Sequence, residues 1–569
     1  MTEKITSLNL NCGGRPCESQ LLGLTLVREI GRIPFLRTRH EYRDEDAGLF
    51  RPGAEITFQV KAGELSADFK GVVTNVGLNL AGGTRVLTMT ARDPAQALTL
   101  ARSTALFLDK SDAEISRDVI SGHGLSADIP DTSPKHRQMQ QALVSDWDFL
   151  LSRLWASGLV PVVRSGKVKA LKLDSLGNDH VLEIDAASQA LLELELEADD
   201  RAWFKSVSAS AWDDAAQKVV KGQADEARPP QPGSLKGHGR AEQEIPIPQV
   251  LVPAELSKLS EGLLWRLRQG FISGRVRLAG LAGAEPGHGL KLKNCGPLAD
   301  GRSAVWANRL EIKGGECFTD LQFGYEFIHQ LQTELQAGGL SGILGGSRPE
   351  LPGLYPAKVI KLVDPDKGQR IAVHIPLLHK AGQSVWARAA QVYAGPGRAV
   401  VFRPEQDDEV LVGFLGADPG APVILGALPS KAHQAPKELE AIDEKNHHKG
   451  WVSRNGLSLL LDEETKSVLL KTPGGQSLEI NDKESSIALR DKNGNVISLD
   501  KGGITLKSKS NIQLEAAKNI TLKAAADLKG QGLSCQLQGQ KDIKLSGQAM
   551  GELSTSGLLT VKGTLVKIN

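Results

Sequence analysis

From Gly503 to Asn569 one short strand is written again and again. Ile504 and Leu506, Ile512 and Leu514, and Ile520 and Leu522 are the same apolar-x-apolar pair recurring every eight residues, and Ile543 with Leu545 keeps nearly the same phase. Between the pairs stand Lys, Ser, Thr or Gln, then small polar groups such as Lys518-Asn519 or Gly530-Gln531-Gly532. Alternation followed by polar punctuation predicts strand, turn, strand, turn. Each unit offers only two or three apolar side chains, and no Phe, Tyr or Trp follows Trp451. One chain would bury too little surface this way to offset its chain entropy. Three copies wound together solve the problem: Ile504, Leu506, Ile512, Leu514, Ile520, Leu522, Leu537, Ile543 and Leu545 then line a shared shaft core. The Lys and Ser positions face water and the strand edges are hidden. A single-chain solenoid is the alternative.

At 569 residues the chain has room for three or four domains, and its many glycines and few aromatics favour short strands and turns over large helical cores. The net charge of +1 gives no case for nucleic acid as a partner. The repeat is more basic: Gly503–Asn569 holds nine Lys against four Asp or Glu, which reads as a solvated face. Met1 to Leu10 shows no basic segment followed by an apolar run, and no window approaches a membrane span. The expectation is a chain made in the cytoplasm and kept there unless something else exports it. Five scattered Cys argue for reduced thiols. Cys12 and Cys17 have no second Cys or His pair at metal spacing, so neither a zinc site nor a cofactor is expected.

In chain order, residues 1–345 read as one large, mostly β region. Phe69 to Leu80 and Arg85 to Thr90 form a hairpin across Ala81-Gly82-Gly83-Thr84. A helical insert follows over about 111–158. Ser111 with Glu114 makes a capping box, Ser145 and Asp148 start a second helix that carries Trp147, Leu150, Leu151 and Leu154 on one face, and Gly158 stops it. Gln223 to Pro253, rich in Pro, Gly and charge, reads as an extended connection. A second set of strands runs from Val276 to Phe323, then a short helix around Tyr325 to Glu334 and a glycine-rich linker at Gly338 to Ser347. Residues 350–430 carry five or six short strands punctuated by Asp364-Pro365-Asp366-Lys367-Gly368, Gly395-Pro396-Gly397 and Asp418-Pro419-Gly420, which fits a small barrel of the oligonucleotide/oligosaccharide-binding (OB) type. Residues 431–455 are a charged linker and 456–569 the shaft. From Leu457 to Asp500 its strands recur at nine or ten residues before tightening to the eight-residue register.

No phosphate loop, His-Glu-x-x-His helix or nucleophile elbow is present. His447-His448 lacks a third ligand, and Glu463 and Glu464 are adjacent, so they do not face each other across a glycosidic bond. Tyr355, Trp386, Tyr393, Phe402 and Phe414 are spread one per strand or loop of the barrel, the pattern of a small core rather than a stacking platform.

The order of parts, and two local patterns, resemble the VgrG spike family of type VI secretion and the fused hub-spike of contractile phage tails and extracellular injection particles. Ser145-Asp146-Trp147-Asp148-Phe149-Leu150-Leu151-Ser152-Arg153-Leu154 is similar to that family's Ser-Asp-x-x-Phe helix with its Arg-Leu ending. Val385-Trp386-Ala387-Arg388, Pro404 through Val412, and Pro422-Val423-Ile424-Leu425-Gly426 resemble the barrel signature. The pattern departs at Gln406-Asp407, where the family commonly has Gly before Asp-Glu, which alters a turn and leaves the strand intact. The resemblance implies a mainly β fold: an N-terminal tail-hub β-barrel region with a helical insert, an OB-fold barrel and a C-terminal trimeric β-prism, or triple-stranded β-helix. It implies a homotrimer, an Hcp-like tail tube and baseplate proteins as partners, and a PAAR-type tip protein contacting Leu565, Val566 and Ile568 at the shaft end. Some relatives add an enzyme after the prism or between barrel and prism; the strand pattern to Asn569 and the short linker at Lys431 to Gly450 give room for neither, and no enzymatic activity is expected. Effector cargo and a transient target membrane complete the implied partners, and the spike would leave the cell as part of the particle. A trimeric tail spike that binds or degrades surface polysaccharide is the rival reading. It needs aromatics and carboxylates along the prism, and the aromatics are missing there.

Overall fold

The computed structural model describes residues 5–44, 48–214, 216–239, 241–247, 251–325, 350–439 and 444–568. The chain is mainly β and divides into two compact units, Met1–His433 and Gln434–Asn569. Beyond Tyr325, the helix expected to Glu334 and the linker expected at Gly338 to Ser347 lie outside the described residues.

The first unit is built on a thirteen-stranded sheet. Strict alternation sets its strands: in Glu55–Ala62, Ile56, Phe58, Val60 and Ala62 are buried while the residues between them face water. The expected hairpin forms from Leu65–Ala81 and Thr84–Arg92. Strand Leu21–Glu29 pairs with Gly301–Lys313, Leu26 standing opposite Leu310, so the first and second sets of strands share one sheet and one core.

Helix α1, Asp112–Gly122, opens on the expected capping box. The Glu114 N–H donates to Ser111 Oγ at 3.3 Å and the Ser111 N–H to Glu114 Oε2 at 2.8 Å. Helix α2, Asp146–Ala156, is capped by Ser145 Oγ, which accepts the Asp148 N–H at 3.1 Å. It buries Trp147, Leu150 and Leu154 and ends just before Gly158, whose φ of +70° suits glycine. Strands Ser126–Asp128 and His136–Ser145 run between the two helices.

A third helix, α3, spans Pro253–Gln269, with Pro at its first turn and Leu256, Leu259, Leu263 and Leu267 buried against strands Ser206–Asp213 and Lys218–Ala224. The sequence reading has no helix there. Ser260 Oγ donates to the Gly222 carbonyl at 2.8 Å and accepts the Ala209 N–H at 3.0 Å. At the far end the buried Arg268 donates to the carbonyls of Phe204, Lys205, Asp225 and Ala227, fixing the helix terminus to the segment that leads into and out of those strands.

Strands Tyr355–Lys361, Ile371–His374, Val385–Ala389, Pro422–Ala427 and Glu409–Phe414 close into a five-stranded barrel in that spatial order. Ala357, Val359, Ile371, Val373, Val385, Ala387, Val410, Val412 and Ile424 fill it, joined by Ala142 from His136–Ser145. Gln138 on the same strand accepts the Trp386 N–H at 3.1 Å and donates to the Trp386 carbonyl at 3.4 Å, so the insert grips the barrel through its backbone. The turn after the first barrel strand is held by Asp364, which accepts Arg370 Nε at 2.8 Å and Nη2 at 3.0 Å. Those hydrogen bonds keep its carboxyl well below the usual carboxylate range.

In the second unit, seven antiparallel strands form a meander: His448–Val452, Ser458–Asp462, Ser467–Lys471, Ser477–Asn481, Ser486–Arg490, Val496–Asp500 and Gly503–Lys507. The nine- and ten-residue spacing read from the sequence up to Asp500 is the spacing of these strands. Asp491 closes one turn by accepting the N–H groups of Asn493 at 2.9 Å and Asn495 at 2.8 Å.

Candidate oligomerisation face

The meander's register sorts its side chains into two columns on one face. Leu459, Leu470, Leu478, Leu489, Ile497 and Leu506 stand opposite one another in sequence across six strands, and so do Leu461, Val468, Ile480, Ile487, Leu499 and Ile504. All twelve keep 38–73% of their surface exposed in the single chain. The other face carries Asp462, Ser467, Lys471, Ser477, Glu479, Asn481, Ser486 and Arg490, with Leu460 opposite Leu469 and Ala488 opposite Glu479 among them. A contiguous aliphatic sheet face of this length, left in water, is an association surface.

After Lys507 the internal ladder stops. Among the described residues from Ser508 onward no strand or helix forms, and no backbone N–H bonds another backbone group. Of the residues singled out for a shaft core, Ile504 and Leu506 lie in the last meander strand. Ile512, Leu514, Ile520, Leu522, Leu537, Ile543 and Leu545 lie in this unpaired stretch, each more than half exposed. Leu565, Val566 and Ile568 follow in the same stretch, Leu565 and Ile568 mostly exposed and Val566 about half. Backbone with no ladder of its own and exposed apolar groups at a fixed period is half of an interface.

The residues weighed for chemistry do not converge. Glu463 pairs with Lys449 at 2.6 Å and Glu464 with His447 at 3.5 Å, each in the turn that follows Asp462. Among the described residues no three His, Cys, Asp or Glu side chains gather at metal-binding distance. Burial pushes the Cys317 thiol up to about 11 and also raises that of Cys12, so neither is an activated nucleophile.

The reading of five barrel aromatics as core needs correction. Tyr355 and Phe414 do pack edge to face at 5.8 Å against the barrel interior. Tyr393 and Phe402 are 50% and 58% exposed, on and beside a hairpin outside the barrel, because Arg398–Val400 folds back on Tyr393–Gly395 instead of entering the barrel wall.

Comparison with known proteins places these parts. The profile for the type VI secretion system/phage-baseplate injector OB domain matches residues 355–428, the extent of the closed barrel. The profile for the phage baseplate V C-terminal trimerisation domain matches residues 467–550, across the two-column meander and into the unpaired repeat. A third profile, the Alg8 N-terminal domain, matches residues 37–313. The type VI secretion system spike protein VgrG4b of Pseudomonas aeruginosa is 37% identical over 73 residues, which covers 13% of this chain and 9% of that protein. The match therefore spans less than a tenth of that relative's length. In fold, a chain of the lidless PdpA-VgrG complex aligns with a TM-score of 0.52 at 10% identity, covering 89% of this chain and 99% of that one. A chain of the half-lidded Francisella PdpA-VgrG complex aligns at 0.51 and 11% identity, with 89% of each covered.

Proposed function

Because the chain belongs to the VgrG and contractile phage tail hub-spike family, we propose that it acts as the homotrimeric, non-enzymatic spike of a contractile injection machine. One observation carries this reading: two six-residue aliphatic columns lead into an eight-residue repeat with no ladder of its own, and the trimerisation profile matches residues 467–550 across the junction. Three chains laid side by side would bury the columns and give the unpaired stretch its missing strands. At about 4.8 Å per stacked strand, eight or nine units make a stiff shaft of roughly 40 Å for the repeat alone.

In this reading the N-terminal β region joins the spike to an Hcp-like tail tube and the baseplate, the barrel serves as a collar, and Leu565, Val566 and Ile568 meet a PAAR-type tip protein. The trimer is assembled in the cytoplasm, carries effector cargo, and is driven through a target membrane by sheath contraction. Its task is mechanical. Sedimentation of the full chain tests the proposal: a mass of three chains is expected, and a stable monomer with a folded C-terminal region overturns it. Release of reducing ends from surface polysaccharide would overturn the non-enzymatic assignment and return the tail-spike reading.

A further inference from the structure

Between two barrel strands the chain leaves the wall to form a small hairpin, Tyr393–Gly395 with Arg398–Val400, that pairs only within itself. Gly395-Pro396-Gly397 makes its tip, with Gly397 at φ +68°. The Arg398 guanidinium lies over the Tyr393 ring at 5.6 Å, which stiffens the hairpin and occupies its only charged side chain. Its other large side chains are apolar and face solvent. Val392 is 96% exposed and Val401 53%. The patch continues onto the barrel: the Ala390 N–H donates to the Ile424 carbonyl at 2.9 Å, and the next residue, Leu425, is half exposed.

We propose that this hairpin is a clasp between protomers, seating Val392, Tyr393 and Val401 against the barrel of a second copy of this chain. The inference rests on the trimer reading and adds a second interface to it. A short, rigid, almost uncharged apolar hairpin is what a protein surface buries on association, not what it leaves in water. The same lack of free cations disfavours an anionic lipid surface, which recruits Lys and Arg. The second copy is favoured by proximity. Only twenty residues, 428–447, separate the last barrel strand from the first meander strand. Chains joined through the meander therefore hold their barrels at effective concentrations on the order of millimolar, where even a modest patch is occupied. A head-to-tail contact of hairpin on barrel, repeated three times, closes on itself.

Photo-crosslinking of the full chain tests the clasp. With Val392→p-benzoylphenylalanine, irradiation is expected to give a chain-to-chain adduct that maps within residues 350–428 of a second copy. Adding Val401→Asp should cut its yield on the order of tenfold, the effect of losing about 1.4 kcal/mol of contact. Sedimentation is run on the same samples. A trimer with no such adduct, or with adducts only inside one chain, overturns the clasp and leaves the spike reading standing. Adducts formed instead with phosphatidylglycerol vesicles in the mixture overturn it too. A monomer overturns both readings at once.

Discussion

Arg153 reaches Asp112 with two donors, Nε to Oδ1 at 2.8 Å and Nη2 to Oδ2 at 3.2 Å, where both side chains are almost wholly buried. The pair ties α2 to the first residue of α1. Ser157 Oγ donates to Asp112 Oδ2 at 2.7 Å, and His136 stands between Asp112 at 3.0 Å and Glu255 at 3.3 Å, which brings α3 into the same network. Burial alone would raise the Asp112 carboxyl. The Arg153 charge and the hydrogen bonds from His136 and Arg153 outweigh it and hold the group far below the usual carboxylate range.

Removing one partner strands the other in a dry site. Arg153→Met is expected to destabilise the N-terminal unit by about 3–5 kcal/mol, because it leaves Asp112 charged and short of two donors. The double variant Arg153→Met with Asp112→Asn should recover part of that loss. Denaturant unfolding of the full chain, followed through its first transition, gives both values. Equal stability of the single variant and the wild type would show that the pair is not buried as described.

How much of this was legible depends on distance along the chain. Caps are local, so Ser111 with Glu114 and Ser145 with Asp148 announce α1 and α2 in the sequence. The strand spacing of the meander was legible for the same reason, and a period of two placed Ile504 and Leu506 on one face, but the other ten column residues were not singled out, because their partners are set by register across the sheet. The Arg153–Asp112 pair links residues 41 apart, and no local pattern names such a partner. Nor does any local signal place Leu21–Glu29 beside Gly301–Lys313. Helix α3 was within reach: Pro253, then Leu256, Leu259, Leu263 and Leu267, then Gly270 is a helical pattern with start and stop signals. The extended reading of the Pro- and Gly-rich stretch ended at Pro253, and the residues between it and the strand at Val276 were left without an element. The exposed hairpin was not legible, because apolar residues bound for a core and for a partner have the same composition.

His379 should set an acid limit to the barrel. Its Nδ1 accepts the Ile375 N–H at 3.0 Å, so the ring is neutral with its proton on Nε2, and protonation would turn a buried acceptor into a donor facing a donor. Burial, with His374 nearby, lowers its pKa to about 4. The folded value lies below the unfolded one of 6.5, so the folded state binds fewer protons between the two. The contribution is complete above about pH 6.5 and is lost as the pH falls towards 4, amounting to roughly 3 kcal/mol. His379→Gln should flatten this part of the stability-pH curve. A variant with the wild-type slope would remove His379 as its origin.

Charge in the middle of the columns should block association without unfolding the rest. Ile480 and Ile487 are directly opposite one another. Ile480→Asp with Ile487→Asp would place two like charges side by side in the face that the trimer buries, a cost of several kcal/mol. The expected result is a smaller sedimenting species whose barrel and N-terminal unit keep their near-ultraviolet circular dichroism. An unchanged trimer would mean that this face stays in water.

At Gly222 the backbone of α3 lies directly against its sheet. A Cβ there would lie 2.2 Å from the Ser257 nitrogen and 2.3 Å from the Leu256 carbonyl carbon, backbone atoms that move only with the whole helix. Gly222→Ala should therefore cost about 3 kcal/mol and speed amide exchange along 253–269. Gly77, where an added methyl would meet nothing within 4 Å, is the control, and Gly77→Ala should leave that exchange unchanged. Equal exchange in both variants would place α3 farther from the sheet.

Asp407 stands where the family pattern has Gly, and its φ of +71° is the left-handed conformation that glycine adopts freely. The turn keeps its bonds all the same: the Asp407 N–H donates to the Val359 carbonyl at 2.9 Å, the Val359 N–H donates to the Asp408 carbonyl at 3.1 Å, and strand Glu409–Phe414 begins on schedule. Asp tolerates this region better than most residues, because its short side chain bonds locally, while a β-branched residue does not. Asp407→Gly should be neutral to stabilising by about 0.5 kcal/mol, relief of strain being set against the entropy of the unfolded chain. Asp407→Val should cost about 1–2 kcal/mol. Thermal unfolding that ranks the three as Gly, Asp, Val in falling stability would support the left-handed turn. If Val equalled Asp, the backbone there would have to be extended and the departure from the family pattern would carry no strain.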